Sequence, residues 1–431
     1  MKKVSHSTKS ISLILIAALA TGACTKEVTK IEQVEVVKTQ PGANTNEQPI
    51  KISADDTMTA DALVEIGEQL VSPYTFMLAD KSFDMALAKD PANFKAQLYK
   101  QFLRPMMAFK GIFKRIRPML SKSGNLQSHD ETIKNLPESP LKTFLLDGPE
   151  DISSVTGVQN VLVDIRNGFD GLRKIIKSNL NSELVLNLNP HIFQEKINTN
   201  LKRSCQVVDD TDKKLTVICD YSKIAQVKIN VADLLAIGQV AGGYSLYLNF
   251  YTNYGLEGLE NLGRWGKEKT SNQEIQNEIE SNPGYGKLRQ DHGWSSLRDL
   301  GSDSSAAVKY AIKYQKELCA AGRSSPTNRH GYLVEEGICV KSTDEIQRSL
   351  ALLDQALNGI ISVDAKLPNN AGHKEFKVNP FAWAANPLQD LRQVSPVSWT
   401  KCKTADSIRD NTLGGLFPQN DYNLLIEKCE M

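Results

Sequence analysis

The sequence has almost no net charge. Its 431 residues include 51 lysines and arginines against 50 aspartates and glutamates, which gives a formal charge of +1 at pH 7. Proteins that bind nucleic acid usually rely on a basic field, which attracts the phosphate backbone. The balanced charge therefore argues against nucleic acid as a partner.

The chain also lacks the short motifs that position catalytic groups. No serine lies in a GxSxG nucleophile elbow, no histidines have the HExxH spacing, and Gly284–Lys287 lacks the spacing of a phosphate loop. Asp291 and His292, with Ser295 and Ser296, supply the atom types of a catalytic triad. A neighbouring Asp and His are poorly placed to orient each other, however. We therefore expect neither enzymatic activity nor a cofactor.

Motifs for metal binding are missing as well. No two cysteines have the CxxC spacing of zinc sites and thioredoxin-like sites. The acidic turn predicted at Asp209–Asp212 offers carboxylate oxygens to a calcium ion, but it lacks the glycine and the distal glutamate of an EF-hand. Turn aspartates are common because their side chains hydrogen-bond to nearby backbone. We expect no metal ion.

What the sequence does contain is an N-terminal leader. Lys2, Lys3 and Lys9 make its start positive, residues 11–20 are uncharged and largely apolar, and small residues precede Cys24. This is the layout of a secretory signal peptide. The cysteine makes it resemble a bacterial lipoprotein signal. That resemblance implies that Cys24 carries acyl chains such as palmitate and anchors the protein to a membrane of the cell envelope.

Two residues beside the cysteine refine this interpretation. Thr21 stands where the lipoprotein family usually has an aliphatic residue, so ordinary secretion and an uncleaved anchor stay open as alternatives. The apolar run is too short for a bilayer, which needs about 20 residues. Thr25, in place of an aspartate, implies by the same resemblance the outer membrane, with the protein facing the periplasm or the cell surface.

Six further cysteines indicate disulfide bonds. Their number is even, and an oxidising compartment favours disulfides over free thiols. Cys205 and Cys219 are equidistant from Asp212, so a hairpin centred there would place them opposite each other. Pairing of neighbours is the simplest of the 15 possible connectivities. The six residues are Cys205, Cys219, Cys319, Cys339, Cys402 and Cys429.

The pattern along the chain predicts a mainly α protein with a small disulfide-linked β-hairpin insertion. Polar residues without an apolar period cannot bury enough surface to fold, which predicts a flexible lipidated tether near the N-terminus, with a short strand at 34–37 as the alternative. A further strand at Gln226–Asn230 is expected to complete the sheet of the hairpin. The expected segments are a signal peptide (1–23), the tether (24–57), a helical domain (58–202), the β-hairpin (203–230), a helical domain that continues the same core (231–365) and an irregular, disulfide-pinned tail (366–431).

The start of the first helical segment contains a repeat-like pattern. Two apolar helical stripes are separated by Ser72–Pro73, and Pro91 stops the second. Large, aliphatic, small and aromatic residues follow the order of one tetratricopeptide repeat (TPR), at Leu63, Ile66, Gly67, Leu70, Ala79, Phe83, Ala86 and Pro91. Residues 60–93 therefore resemble one TPR-like helical hairpin, and an unrelated hairpin is the alternative. The resemblance implies that Gly67 lets the helices approach closely and that Phe83 faces the next helix.

Two later helices have unusual compositions. A helix predicted to run from Pro105 past Ile116 carries Lys110, Lys114 and Arg115, which indicates either a membrane-facing surface or a solvated face. Val231–Gly263 is the most apolar segment of the mature chain, with no charge between Asp233 and Glu257. Its glycines and amides suit lipid poorly, so a buried central helix is predicted, with tyrosines at the edge of the core.

Together these features favour a non-enzymatic protein–protein interaction or scaffold module. Grooves between helix pairs suit a peptide or another envelope protein. The alternative function is a small-molecule-binding lipoprotein that serves a transporter. A large closed apolar pocket would favour that alternative, and an open concave surface would favour the interaction module. A convergent cluster of reactive side chains would favour an enzyme.

Overall fold

The structure, a computed structural model, is mainly helical with short antiparallel strands, as the sequence predicts. Its helices are α1 (Ala60–Leu70), α2 (Phe76–Lys89), α3 (Phe94–Met107), α4 (Ile112–Arg115), α5 (Arg117–Lys122), α6 (Leu126–Lys134), α7 (Pro140–Leu146), α8 (Val155–Ser178), α9 (Val231–Thr252), α10 (Asn272–Ser281), α11 (Leu297–Ala320), α12 (Asp344–Asn358) and α13 (Ala382–Ala385). The strands are β1 (Ile50–Asp55), β2 (Leu184–Leu188), β3 (Cys205–Thr211), β4 (Lys214–Cys219), β5 (Ala225–Ile229), β6 (Ile361–Lys366) and β7 (His373–Val378).

The structure describes residues 50–55, 57–71, 75–136, 140–180, 184–188, 205–211, 214–219, 225–229, 231–261, 264, 270–320, 344–367, 372–394 and 410–425. The predicted lipidation site Cys24 lies outside these residues, as do Cys339, Cys402 and Cys429. Cys319 lies in the last turn of α11. Among the helices in the described ranges, none combines the length and the apolar composition that crossing a membrane requires.

Helices α1 and α2 pack against each other as a helical hairpin within residues 60–93. Thr59 caps α1 by accepting a hydrogen bond from the backbone N–H of Ala62. A Cβ atom on Gly67 would lie only 2.4 Å from Cε1 of Phe83, so the glycine permits the close approach of α1 and α2. The Phe83 ring stacks on Tyr99 of α3, with ring centroids 4.7 Å apart. The three helices therefore share one apolar core.

This core extends into the later helices. Leu172 and Ile176 of α8, and Leu234 and Ala241 of α9, are buried in the same cluster as the apolar residues of α1–α3. In the described part of the chain, α3 packs against α8, α8 against α9, α9 against α11 and α11 against α12. The central helix α9 therefore has α8 and α11 as its main helical neighbours.

The helix predicted from Pro105 is interrupted. Pro105 lies inside α3, which ends at Met107, and the following residues form the short helices α4 and α5. The break is at Gly111, whose φ is +67° and whose N–H donates to the carbonyl oxygen of Phe144. A residue in the left-handed conformation cannot continue an α-helix. The spacing of apolar residues carries no information about the φ of Gly111, so it did not predict this break.

The basic residues of this region form ion pairs within the chain. Lys110 lies 3.1 Å from Asp147, and Arg115 lies 2.9 Å from Asp151. Arg117 contacts both Asp130 and Glu150. Because the basic side chains have acidic partners within the chain, the structure favours a solvated surface for this region over a membrane-facing one.

The β-hairpin lies where the cysteine spacing predicts it. Strands β3 and β4 are antiparallel, and the Cα of Cys205 pairs in register with that of Cys219. The predicted turn is too wide, because β3 continues through Asp209 and Asp210 to Thr211. A register shift after Val207 accounts for the extra residue.

Three other strand predictions need correction. The tether was expected to extend to residue 57, whereas Ile50–Asp55 forms β1 and pairs with β4, giving the strand order β1–β4–β3. Strand β5 pairs with β2 in a separate sheet and does not complete the sheet of the hairpin. The tail was expected to be irregular, yet His373–Val378 forms β7 and pairs with β6. Strands β1 and β5 pair with strands that are distant in sequence, and a local sequence pattern does not specify such partners.

Candidate functional site

The central helix α9 has an exposed apolar side. Its exposed residues recur at helical spacing, so they share one side of the helix. Phe250 is 68% exposed and Val240 is 61% exposed. We call this side the apolar face; it consists of Val240, Gly243, Leu246, Tyr247, Phe250 and Tyr251.

The opposite side of α9 is well packed. Leu234 and Ala241 belong to the main core, and Leu248 packs into a second cluster with Val161 and Ile165 of α8. Tyr244 stacks on Phe169 of α8, with ring centroids 5.1 Å apart. This side provides a fixed base for the exposed one.

The prediction of a buried central helix is therefore correct for one side only. Tyr244 lies at the edge of the core as predicted, whereas Tyr247 and Tyr251 are on the apolar face. The sequence pattern could not separate the two sides because α9 is apolar all around, without the polar stripe that marks an exposed side. The sequence feature that set this helix apart was the absence of charged residues between Asp233 and Glu257.

The polar atoms of the apolar face bind each other. The hydroxyl groups of Tyr247 and Tyr251 are hydrogen-bonded at 3.2 Å, and their rings meet edge to face at 5.2 Å. The hydrogen bond to Tyr251, together with partial burial, raises the pKa of Tyr247 above its ordinary value. One hydroxyl donates this hydrogen bond and the other accepts it, so an apolar partner could cover both rings with the bond retained.

The apolar face has a depression beside its largest projection. Apart from the backbone of its own helix, no atom of the described residues would lie within 4 Å of a Cβ atom on Gly243, so the space over this residue is open. Phe250 follows two helical turns later on the same side. By contrast, a Cβ on the neighbouring Gly242 would lie 3.2 Å from Leu300 of α11, which explains that glycine by packing within the chain.

Buried polar residues fix the C-terminal end of α9. The Nε2 of Gln159 donates to the carbonyl oxygens of Tyr251 and Tyr254, at 2.6 and 2.8 Å. The guanidinium of Arg166 donates to Thr252 Oγ1 at 2.9 Å and to the carbonyl oxygen of Asp291 at 2.5 Å. Burial lowers the pKa of Arg166, although the nearby Asp291 partly opposes this effect. These contacts hold the end of the apolar face in place.

A second buried arginine joins the helices beneath α9. Arg173 of α8 is bonded to Asp170 at 2.7 Å and also contacts Asp303 of α11. Lys177 lies 2.7 Å from the same Asp303. This network links α8 to α11 below α9.

The structure does not assemble the triad atom types into a catalytic site. The carboxylate of Asp291 is bound to Arg289 at 2.9 Å, and this hydrogen bond lowers the pKa of Asp291. The Nδ1 of His292 is buried without a hydrogen-bond partner among the residues that the structure describes. The hydroxyl of Ser296 donates to the carbonyl oxygen of Gly293 at 2.8 Å. Among the described residues, no group of three His, Cys, Asp or Glu side chains could hold a metal ion.

A groove lies near the C-terminal end of α9. It has a volume of about 570 Å³ and is lined by Thr156, Gly255, Glu257, Gly284 and residues 287–291. The groove is open, and its charged lining includes Lys287 and Arg289. It is therefore not the closed apolar pocket that the small-molecule alternative called for.

Comparisons of the chain with protein-family models, with curated proteins and with solved structures found no significant match.

Proposed function

We propose that the protein is a non-enzymatic interaction or scaffold module of the bacterial cell envelope, and that the apolar face of α9 is its binding surface. The observation that carries this proposal is the exposure of Phe250, Val240 and Tyr247 on a helix without a charged residue from Leu234 to Leu256. A helix that is apolar all around is normally covered on every side. A bound partner would supply the missing cover.

The size of the apolar face supports a binding role. An aromatic side chain offers roughly 150–250 Å², so the exposed parts of the face together present on the order of 500 Å². Patches of this size on monomers are often functional. Their burial contributes about 12 kcal/mol at about 25 cal/mol/Å², which is comparable with an association cost of about 4–15 kcal/mol. The face can therefore support binding, but not very tight binding.

The proposed location follows from the leader. An acylated Cys24 would anchor the protein to the envelope, in our proposal to the outer membrane, and the polar residues up to Gln48 would separate the fold from the bilayer. Helices α1 and α2 form a hairpin, and its sequence pattern resembles one TPR unit; if that resemblance holds, it supports a role in protein binding, because such hairpins build grooves for peptides and proteins. The expected partner is another envelope protein or a peptide.

A second function, delivery of a small molecule to a transporter, has one supporting observation. The 570 Å³ groove has a volume within the usual range for ligand sites. Its side chains Glu257, Lys287 and Arg289 would select a polar ligand of mixed charge. Titration calorimetry with polar metabolites, using Lys287→Ala and Arg289→Ala as controls, separates this function from protein binding.

Cross-linking in intact cells tests the main proposal. We expect that Phe250→Asp reduces the yield of cross-linked complexes by roughly tenfold or more, because it places a charge at the most exposed point of the apolar face. The matched control is Leu352→Asp on α12, where an apolar residue is 49% exposed outside the face. Equal yields from the two variants would mean that the apolar face does not bind the partner.

A further inference from the structure

We infer that the apolar face binds a second copy of this chain, with the two α9 helices antiparallel around a two-fold axis. This inference rests on the proposed function, because it names the partner of the same face. It follows from three properties of that face: the shape given by Gly243 and Phe250, the absence of charge, and the area.

The shape of the apolar face is complementary to itself. Phe250 projects and Gly243 leaves open space, and the two positions are seven residues apart, or two turns, on one side of α9. If Phe250 of one copy lies over Gly243 of an antiparallel copy, the symmetry places the second Phe250 over the second Gly243. The two-fold axis then passes between Leu246 and Tyr247.

In the part of the chain that the structure describes, no packing contact explains Gly243. Glycine is unfavourable inside a helix, and the close approach of another group is one reason for a glycine there. Gly67 and Gly242 meet this condition, because a Cβ would press on Phe83 at 2.4 Å or on Leu300 at 3.2 Å. A Cβ on Gly243 would have no described side chain or other element within 4 Å. An approaching side chain from outside, such as Phe250 of a second copy, supplies the missing reason.

The absence of charge favours a second copy over other partners. Two identical faces meet without like-charge repulsion, because no residue from Leu234 to Leu256 is charged. An apolar contact through the rings of Tyr247 and Tyr251 leaves the hydrogen bond between their hydroxyl groups intact. Helices that lie on a bilayer instead carry lysine and arginine beside their apolar side. α9 has none in this range.

The area fits a weak dimer. Two faces of on the order of 500 Å² bury roughly 1,000 Å² in total, which is the lower limit for a specific interface. The same face against a polar surface would bury apolar area from one side only, on the order of 500 Å². We therefore expect dimerisation that depends on protein concentration.

Sedimentation equilibrium of the mature chain tests this inference. Cys24→Ala is included in every variant so that no acyl chain adds association. We expect a monomer–dimer equilibrium over roughly a hundredfold range of concentration. Phe250→Asp and Gly243→Leu should each weaken the dimer by about tenfold or more, the first by adding charge and the second by filling the depression. Leu352→Asp should leave the equilibrium unchanged, and far-UV circular dichroism checks the fold of each variant.

A photo-cross-link tests the register of the two helices. With p-benzoylphenylalanine in place of Phe250, we expect a covalent dimer in which the attached peptide contains Gly243. A covalent dimer joined outside the range from Val240 to Tyr251 would overturn the antiparallel arrangement.

The remaining outcomes overturn the inference in distinguishable ways. A mature chain that is monomeric at every concentration, but loses its cellular cross-links with Phe250→Asp, has a different protein as its partner, and the proposed function stands. If the chain is monomeric and binds phosphatidylethanolamine–phosphatidylglycerol vesicles, and Phe250→Asp abolishes that binding, the apolar face binds lipid. A dimer that neither Phe250→Asp nor Gly243→Leu weakens has its interface elsewhere.

Discussion

Gly67 and Gly243 are both helical glycines, yet their surroundings differ. The first lies against the ring of Phe83, and the second lies on the exposed apolar face. A missing side chain therefore serves packing inside the chain at one position and leaves open space at the other. The energetic effect of adding a methyl group should differ accordingly.

We predict opposite effects of alanine at these two positions. Gly67→Ala should lower the free energy of unfolding by about 1–3 kcal/mol, because the new Cβ overpacks the contact with Phe83. Gly243→Ala should raise it by up to about 1 kcal/mol, because alanine is the better helix former. Urea unfolding at low protein concentration measures both. A destabilising Gly243→Ala would indicate a contact within the chain at that position.

For individual residues, the sequence predicted some contacts and not others. The close approach at Gly67 follows from its place between large residues in a repeat-like pattern. The partners of Arg166 do not, because Thr252 and Asp291 come from segments far away in the chain. A buried arginine carries no pattern of its own, and its hydrogen bonds depend on the tertiary structure.

Among the elements, the hairpin of β3 and β4 was the most predictable. Its two strands are adjacent in sequence, and the equal spacing of Cys205 and Cys219 from Asp212 agrees with the observed register. Strand β1 was missed because its partner β4 lies far along the chain. The exposed side of α9 was missed because composition does not reveal how many neighbours a helix has.

We predict a disulfide bond across this hairpin. Mass spectrometry of the unreduced, mature protein should find Cys205 linked to Cys219, whose Cα positions pair in register. Replacing both by serine should cost about 3 kcal/mol of unfolding free energy, since the bond closes a loop of about 15 residues. Free thiols at both positions in protein isolated from the envelope would disprove the bond.

The ion network between α8 and α11 should make stability depend on pH. Burial alone raises the pKa of Asp170, but hydrogen bonds from Lys174 and Arg173 outweigh it and hold this pKa below its ordinary value. A lowered pKa in the folded state stabilises the protein above the unfolded value of about 3.9, and this contribution is lost as the pH falls through the folded value. We predict a smaller acid-dependent loss of unfolding free energy in Asp170→Asn, measured by urea titrations from neutral pH to below about pH 4. Asp164→Asn on the exposed side of the same helix is the control.

At the scale of the whole molecule, consecutive helices in the series α1, α2, α3, α8, α9, α11 and α12 pack against each other. The core of α1–α3 includes residues of α8 and α9, so the first and second helical segments are packed together. The mainly α class was predictable because apolar periodicity is a strong local signal. The order in which the helices pack was not, because it depends on contacts between distant segments.

The location that we propose for the whole molecule depends on Cys24. We predict that Cys24→Ala leaves the protein unacylated and releases it from the membrane fraction, because one leader residue supplies the proposed anchor. Fractionation of cells and intact-mass measurement check this. Wild-type protein without acyl mass would contradict the anchor. Membrane association of the alanine variant would indicate a partner in the membrane or binding through the apolar face.

The position of β1 has a mechanical consequence. Residues Ile50–Asp55 pair along their full length with β4, immediately before the chain enters α1. Tension applied to the chain before Ile50 must first break the backbone hydrogen bonds between β1 and β4. Until they break, α1 carries no load, so the small sheet protects the helical core against pulling from the N-terminal side.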